Sequence, residues 1–420
     1  MSIFRNLYKD IENACYIWRK EMTQVVKDEG VLIFFIIVPL VYPLLYSWIY
    51  NNETVHDVPV CVVDQSHSAL SRQFIHMCDA SADVRVAYYA QDLDEAKSLV
   101  SRQLVKGVYL IPSDFETNVL RMEQGVISVY CDMSLMLTYK AIFQTARLVS
   151  LEMGQQIQTK LSRQYTAREE AIAARPLDYA DVPIFNPQGG YGSFILPAVL
   201  VLILQQTLAL GIGLSAGTAR EENRYRMLIP ISRHYNGLFR IVLGKAMAYF
   251  MIFAVMGAWL TVAVPHLFHF PQLGDVRTIA VVMLPYLLAC IFFGMTVSCL
   301  VKYRENVMLL MVFFSVPLLF MTGVSWPQAS IPGVWQGVSL IFPSTFGVRA
   351  YVRINSMGAS LSDVTMEYQA LWVLTMIYFF ITCVVYSYQI FLARKNARDR
   401  LNMMKLHQQR EASVAATENA

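Results

Sequence analysis

The residues best suited to chemistry lie in one charged stretch between two long apolar segments. They are Thr218, Arg220, Glu221, Glu222, Arg224 and Arg226. Thr218 with Glu221 three residues later fits a capping box, which predicts a short helix beginning near Ala219. Acidic and basic groups on such a helix suit ion pairing with a cleft on a partner protein. An ordinary basic loop is an equal alternative, although an excess of Lys and Arg does not explain the two glutamates.

The histidines and cysteines lack the spacing of a catalytic or metal-binding site. The local groups are His266 with His269, and His67 and His76 with Cys78. An interfacial or hydrogen-bonded histidine explains each group better than a metal ligand does. Because no Ser-His-Asp or paired-carboxylate pattern occurs either, the sequence predicts neither catalysis nor a metal site.

The chain also lacks a phosphate-binding loop of the GxxxxGK[ST] type. The nearest approach, from Gly237 to Lys245 and Ala246, has the wrong spacing and no Ser or Thr. We therefore expect no cofactor to bind directly. If the protein moves something uphill, ATP and magnesium must bind to a separate partner chain.

The composition is typical of a membrane protein with several spans. Of the 420 residues, 55% are hydrophobic and 15% are charged, whereas soluble proteins carry about 25% charged residues. The net charge of +3 and the lack of basic runs alternating with aromatic residues argue against nucleic-acid binding. The seven cysteines form no CxxC pair and predict no disulfide framework.

Six apolar segments have the length of about 20 residues that a bilayer requires. They are residues 31–50, 192–215, 241–265, 278–300, 307–325 and 369–392. The first span follows a long charged segment, and no small-residue cleavage site precedes Asn51 at its end. We therefore interpret it as an uncleaved signal anchor. With Lys245 counted among the loop charges, no span has a charged interior, which argues against proton coupling. Gln205 and Gln206 of the second span either line a path or join helices by hydrogen bonds.

Lys and Arg concentrate on one side of these spans. The basic segments are residues 1–30, 216–240 and 393–420, with Lys302 and Arg304 between the fourth and fifth spans. By the positive-inside rule, both termini are cytoplasmic and residues 51–190 lie outside. Residues 1–30 carry an apolar helical stripe, formed by Ile11, Cys15, Trp18, Met22 and Val25. This stripe predicts an amphipathic helix along the membrane surface or against a partner.

Residues 51–190 alternate short apolar runs with amphipathic segments, which predicts a small α/β domain with strands buried on both faces. The predicted strands are residues 58–64, 84–90, 107–112 and 126–132. A long helix is predicted from Leu137 to Ala174 and would reach roughly 55 Å as a stalk. Its apolar face is formed by Ala146, Val149, Met153, Ile157 and Leu161. Cys61 and Cys131 lie near strand ends, where either a disulfide or free thiols fit the sequence.

The segment 326–365 is broken into short apolar pieces before the last span. The residues expected to shape it by breaking helices are Trp326, Pro327, Pro332, Pro343 and Gly347. The pieces are too short to cross a bilayer. Irregular backbone at membrane depth is tolerated only where protein buries it or water reaches it. We therefore predict a polytopic α-helical membrane protein with six transmembrane helices, an inserted external α/β domain and a short re-entrant helical segment before the last span.

The chain resembles ABC-2 type transporter permeases, the membrane subunits of type V ABC exporters. The resemblance depends on VVDQSHSALSRQF early in the external domain, on GTAREENRYRMLIPISR leading into LGK, and on GVSWP and FPSTF near the last span. It implies that residues 1–30 form a connecting helix. It also implies that the loop 216–240 is a coupling element docking on a separate ATPase, with Glu221 and Glu222 in acidic positions. The family's usual E-R-E-x-G-T order differs here, because Gly217 and Thr218 precede the glutamates.

The resemblance further implies an outer gate in residues 326–365 and a pair of permease subunits around the path, either two identical copies or two related chains. The large external domain is similar to that of bacterial inner-membrane permeases that work with periplasmic adaptors and an outer-membrane channel. The predicted function is export of an apolar or amphiphilic compound, such as a drug, a lipid or a bile salt. Membrane lipid is expected to surround the spans. A membrane-anchored receptor or assembly scaffold is the alternative.

Overall fold

The computed structural model describes residues 2–161, 184–187, 189–222, 228, 237–300 and 303–418. Contacts divide the chain into two compact units. Residues 1–51 and 190–420 form a helical unit, and residues 52–189 form an α/β unit.

Two helices begin the helical unit. They are α1, Ser2–Lys27, and α2, Glu29–Ile49. Asp28 separates them and caps α2, because its Oδ1 accepts the backbone N–H groups of Gly30 (3.0 Å) and Val31 (3.3 Å).

Helix α1 packs on the protein through a different face from the predicted stripe. Ile17, Glu21 and Val25 are buried. Of the predicted stripe, Val25 is buried, Trp18 and Met22 are half-buried, and Ile11 and Cys15 are exposed. The packed face is turned by roughly 80° from the stripe, given the 3.6-residue turn of a helix. The prediction missed this face because a carboxylate stands in its centre.

The α/β unit contains the four predicted strands among its described residues. In chain order its elements are β1 (Val58–Asp64), α3 (Ala69–Asp79), β2 (Val84–Tyr89), α4 (Leu93–Ser101), β3 (Gly107–Ile111), α5 (Phe115–Leu120), β4 (Ser128–Cys131) and α6 (Met136–Leu161). The strand order is β2-β1-β3-β4, with β1 parallel to β2 and β3, and β4 antiparallel to β3. The central strands β1 and β3 are buried on both faces, as expected. The edge strands β2 and β4 are more exposed, because each has a neighbour on one side only.

Helices cover both faces of the sheet. Phe74 and Ile75 of α3 pack on one face together with Ile142, Ala146, Val149 and Met153 of α6, and Ala96 of α4 packs on the other face. The predicted helix is present as far as Leu161, but its apolar side completes the core of the unit from Ile142 to Met153, so this part is not a free-standing stalk. Residues 162–174 of that predicted helix lie outside the described residues.

The cysteines of this unit are free thiols. Cys61 packs on the α4 face of the sheet, whereas Cys131 packs on the α6 face. Strand β3 separates them by roughly twice the 4.8 Å strand spacing, beyond the reach of a disulfide. Burial raises the pKa of Cys61 to about 11 and that of Cys78 to about 12, which keeps both protonated.

The chain returns to the helical unit at Gly190. The helices that follow are α7 (Tyr191–Glu222), α8 (Leu238–Leu267), α9 (Val276–Leu300), α10 (Arg304–Met321), α11 (Gly333–Ser339), α12 (Pro343–Met357) and α13 (Thr365–Glu418). Within the described residues, six helices are long and apolar enough to cross a membrane: α2, α7, α8, α9, α10 and the Thr365–Lys395 part of α13. They coincide with the six predicted segments. Helix α7 extends seven residues beyond its predicted end at residue 215, and α13 runs on through most of the predicted basic tail.

Helix α7 is the centre of the helical unit and is almost completely enclosed by the other helices, whereas most residues of α2 and α10 are exposed or only half-buried. We call the end that holds α1, the last turn of α7 and the first turn of α10 the α1 end. We call the opposite end, which holds the Tyr50–Tyr191 contact and residues 322–364, the far end.

Candidate functional site

A buried ion pair fastens α1 to α8 at the α1 end. Lys245 Nζ donates to Glu21 Oε1 at 2.5 Å, and the Tyr249 hydroxyl donates to Glu21 Oε2 at 3.0 Å. Glu21 and Lys245 are 2% and 4% exposed. Because removing one partner would leave an uncompensated buried charge, this contact strongly fixes the position of α1.

Sequence reasoning missed this pair. The sequence pattern places Lys245 with the basic loop and predicts no role for Glu21. The available signal was that Glu21 stands one helical turn from both Ile17 and Val25, so a carboxylate interrupts an apolar face. Such an interruption indicates a buried partner of opposite charge.

A second polar cluster lies close by and joins three elements; we call it the Asp28 cluster. It consists of Asp28, Thr218, Glu221 and Arg304. The Thr218 hydroxyl donates to Asp28 Oδ2, and Arg304 reaches Asp28 Oδ1 at 3.4 Å and Glu221 Oε2 at 3.8 Å. The junction of α1 and α2 is thereby connected to the end of α7 and to the start of α10.

The capping box predicted at Thr218 is wrong. Thr218 lies inside α7, which continues unbroken to Glu222, so no helix begins near Ala219. The local motif was overridden because the last turn of α7 stays packed in the bundle. Arg220 is buried and donates to the Cys299 carbonyl oxygen at 3.2 Å.

The other predicted coupling residues are placed only in part. Glu221 is about half-exposed and lies beside Arg304. Glu222 is the last residue of α7. Arg224 and Arg226 lie outside the described residues.

The far end contains the broken segment after α10. A short 3₁₀ turn, Gln328–Ser330, follows Pro327; α11 follows Pro332; and α12 begins at Pro343. Proline suits these starts because it lacks an N–H and has a helical φ. The Trp326 side chain is exposed, and its indole N–H donates to the Ser330 carbonyl oxygen at 3.4 Å.

Gly347 does not break a helix, contrary to expectation. It lies within α12, where a Cβ would come within 2.3 Å of the Tyr286 ring of α9. Its role is to let α12 and α9 approach closely.

Gln205 joins three helices. Its Oε1 accepts the backbone N–H of Ser344 at 2.6 Å and the thiol of Cys290 at 3.7 Å. Gln205 on α7 therefore satisfies an N-terminal amide of α12, one of the groups that a helix cannot bond internally. Gln206 donates to the Ser315 carbonyl oxygen of α10 at 3.4 Å. Both glutamines therefore join helices by hydrogen bonds, and their lining of a path stays a prediction.

Further bonds hold the far end. The Tyr351 hydroxyl donates to the Thr261 carbonyl oxygen at 2.8 Å, and Arg349 Nε donates to the Thr322 carbonyl oxygen at 3.0 Å. Arg353 pairs with Glu367 at 2.9 Å, linking α12 to α13. Across the described part of the chain, no group of three or more His, Cys, Asp or Glu side chains could hold a metal ion.

Comparison with known families decides the class of protein. A family model described as ABC-2 family transporter protein matches residues 30–384. The chain belongs to this family. No curated protein matches it.

The match runs from α2 to residue 384 in the first half of α13, with the α/β unit in between. This ABC-2 family protein is thus a multi-pass membrane transport subunit, and the family implies an ABC ATPase as its partner. Helix α1, which carries Glu21, precedes the matched residues.

Proposed function

We propose that this ABC-2 family protein is the permease subunit of an exporter powered by a separate ATPase, which supplies ATP and magnesium. Two permease subunits enclose the path, in a bacterial inner membrane with both termini cytoplasmic. The observation that carries the proposal is the Asp28 cluster. It connects α1, α7 and α10 through side chains at the end where the basic segments concentrate.

Side-chain contacts connect the end of α7 directly to other helices of the bundle. Glu221 at the surface contacts Arg304 of α10, and Arg304 contacts Asp28 between α1 and α2. Arg220 holds the same turn of α7 to the end of α9. A partner that bound the acidic surface would therefore displace several helices together.

The coupling surface is assigned to the last turn of α7 and the loop after it. Glu221 and Glu222 supply acidic groups to the ATPase, and Arg224 and Arg226 supply basic ones. Thr218 and Arg220 act differently, because their side chains fasten the helix end to the bundle.

The far end is the outer gate in this proposal. Its prolines end and restart helices at fixed points, and Gln205 ties the start of α12 to the central helix. A shift of α7 caused at the α1 end would thus reach α12 directly, because the two helices pack together and Gln205 bonds the start of α12. Trp326 and α11, both largely exposed, form the part of the gate that can move.

The cargo is proposed to be apolar or amphiphilic, such as a drug, a lipid or a bile salt. Helices α2 and α10 expose large side chains, among them Ile37, Val41, Phe313, Val316 and Phe320. Such surfaces suit membrane lipid, the second permease subunit or cargo entering from the bilayer. With residues 51–190 in the periplasm, the α/β unit is placed to meet an adaptor that leads to an outer-membrane channel.

Transport by inside-out membrane vesicles tests the proposal. Vesicles that contain the permease and the ATPase encoded by an adjacent gene should accumulate amphiphilic dyes when ATP is supplied. The matched control carries an ATPase whose P-loop lysine is replaced, which abolishes hydrolysis. Equal accumulation in both preparations would contradict export, and an ATPase that never co-purifies with the chain would favour the receptor or scaffold alternative.

The assignment of the coupling surface is tested separately. Glu221→Ala combined with Glu222→Ala should reduce co-purification of the ATPase and dye transport, because both carboxylates are lost. Glu116→Ala in the α/β unit is the control and should change neither. Undiminished association in the double variant would show that the ATPase binds elsewhere.

A further inference from the structure

The parallel strands of the α/β unit end at one edge of the sheet, which is open. Helix α3, which follows β1, packs on one face of the sheet, and α4, which follows β2, packs on the other. Strands β1 and β2 are adjacent and parallel, so the connections after both strands leave from the same edge of the sheet. In open α/β sheets, ligands bind outside the carboxyl ends of the strands.

A cavity of about 910 Å³ lies at this point. Its walls come from the residues after β1, from the residues after β2 and from one side of α3. Arg72, His76 and Asp79 recur on α3 at spacings of four and three, which places them on a single helical face toward the cavity. The volume falls in the range of about 300–1,000 Å³ that is usual for small-molecule sites.

The two carboxylates of the cavity are already engaged by the protein. Asp64 Oδ1 accepts the backbone N–H groups of Ser66 and His67, both at 3.0 Å, and its Oδ2 accepts the Ser71 hydroxyl at 2.7 Å. Asp79 Oδ1 accepts the backbone N–H of Val86 at 2.8 Å. These acidic groups hold the walls of the cavity in place.

Each of the remaining polar side chains of the lining can donate a hydrogen bond, and Arg72 carries a permanent positive charge. They are Gln65, His67, Arg72, His76, Tyr89 and Gln91. Arg72 donates one N–H to the His67 carbonyl oxygen at 3.1 Å, which holds the exposed guanidinium at the cavity. The first turn of α3 contains no acidic residue, whereas the first turn of α4 contains Asp94 and Glu95. The Asp64 carboxylate already lies at the first turn of α3, so the positive charge available to an anion on this side is that of Arg72.

We infer that this crevice binds a small ligand bearing a carboxylate or phosphate group. The anion lies against Arg72, with the imidazoles of His67 and His76 as further donors, and the body of the ligand packs on Ile75 and the Tyr89 ring. A guanidinium suits either anion because its N–H groups match two oxygens at once. The site is independent of the coupling surface and of the gate, so it does not depend on the proposed transport function.

Equilibrium binding to the full chain in nanodiscs tests the inference. The probes are inorganic phosphate, citrate and succinate, with glycerol as an uncharged control. At least one anion should bind, and hydrogen exchange should slow in residues 64–79 when it does. Binding of phosphate alone would specify a phosphate site, and binding of citrate or succinate alone would specify a carboxylate site.

Arg72→Gln should weaken that binding by roughly tenfold or more, the value expected when a charged hydrogen bond is lost. Arg102→Gln removes an exposed arginine outside the cavity and should leave affinity unchanged. Thermal unfolding of both variants checks that the unit stays folded. The inference is overturned if no anion binds below about 10 mM, if Arg72→Gln binds as tightly as the parent, or if protection appears only away from the cavity residues 64–79 and 89–91.

Discussion

The two ends of the helical unit are held together by different chemistry. At the α1 end, charged side chains of separate helices meet: Glu21 with Lys245, and Arg304 with Asp28 and Glu221. At the far end, most of the described bonds run from a side chain to a backbone group: Gln205 to Ser344, Tyr351 to Thr261, Tyr378 to Ile341, and Arg349 to Thr322. Arg353 with Glu367 adds an ion pair there.

This difference separates two tasks. A hydrogen bond to a backbone group is directional and fixes the shape of an irregular segment. An ion pair depends less on angle and responds to any charge that approaches it. The α1 end is therefore suited to a charged protein partner, and the far end is suited to holding short helices in a defined arrangement. Changes at each end should have correspondingly different effects.

The largest effect should come from breaking the buried pair at the α1 end. Glu21→Ala leaves Lys245 buried without its counter-charge, which should cost about 3–5 kcal/mol of stability. The thermal unfolding midpoint of the purified protein measures the loss. Glu12→Ala, which removes an exposed carboxylate from the same helix, is the control and should have little effect.

A double variant separates the pairing from the packing. Glu21→Leu combined with Lys245→Met replaces both charges by apolar groups of similar length and should restore most of the lost stability. An equal loss in the single and double variants would mean that the ion pair does not determine how α1 is held.

At the far end, the largest effect should come from Gly347. Gly347→Leu forces a side chain into the Tyr286 ring, because even a Cβ would lie 2.3 Å from it. Overpacking of this kind costs about 1–3 kcal/mol, again measured by thermal unfolding. Gly337→Leu is the matched control, since a Cβ there meets no atom within 4 Å. Similar unfolding midpoints in the two variants would refute the close approach of α12 to α9.

A smaller effect is expected where one hydrogen bond joins the central helix to α12. Gln205→Leu leaves the buried N–H of Ser344 without its acceptor, which should cost about 1–2 kcal/mol. Gln206→Leu loses only a long bond at a half-buried position and should cost less. If Gln206→Leu proved the more harmful of the two, α10 rather than α12 would be the element that α7 holds.

Much of the fold follows from local sequence patterns. Apolar length predicted the six spans, and short apolar runs predicted the four strands, because both signals depend on neighbouring residues. The breaks at Pro327, Pro332 and Pro343 are local in the same sense, since proline restricts its own backbone and removes an N–H. These features needed no knowledge of which elements touch.

The contacts that define the site were not accessible in this way. Glu21 and Lys245 are 224 positions apart, so no local pattern announces the pair. Gly347 was expected to break a helix, because its close contact with the Tyr286 ring cannot be read from the sequence. The Thr218 motif was misread because packing keeps α7 helical through the stretch where a cap was expected.

The smallest effect on stability should come from replacing Arg304, yet this change should give the clearest difference in transport between the two ends. Arg304 is 33% exposed and its ion pairs are long, so Arg304→Gln should cost no more than about 1 kcal/mol. Arg277→Gln, at an exposed position in the first turn of α9 at the far end, should have a similarly small effect.

Transport should distinguish these two arginines. Arg304→Gln removes the ion pair between Glu221 at the end of α7 and α10 and should reduce ATP-dependent dye accumulation several-fold, whereas Arg277→Gln should leave it unchanged. High salt should weaken the parent protein's transport as well, because the ion pairs of Arg304 are partly exposed and are screened. If both arginine variants transported like the parent, the charges of the α1 end would serve packing alone, and the contrast between the two ends would have no functional meaning.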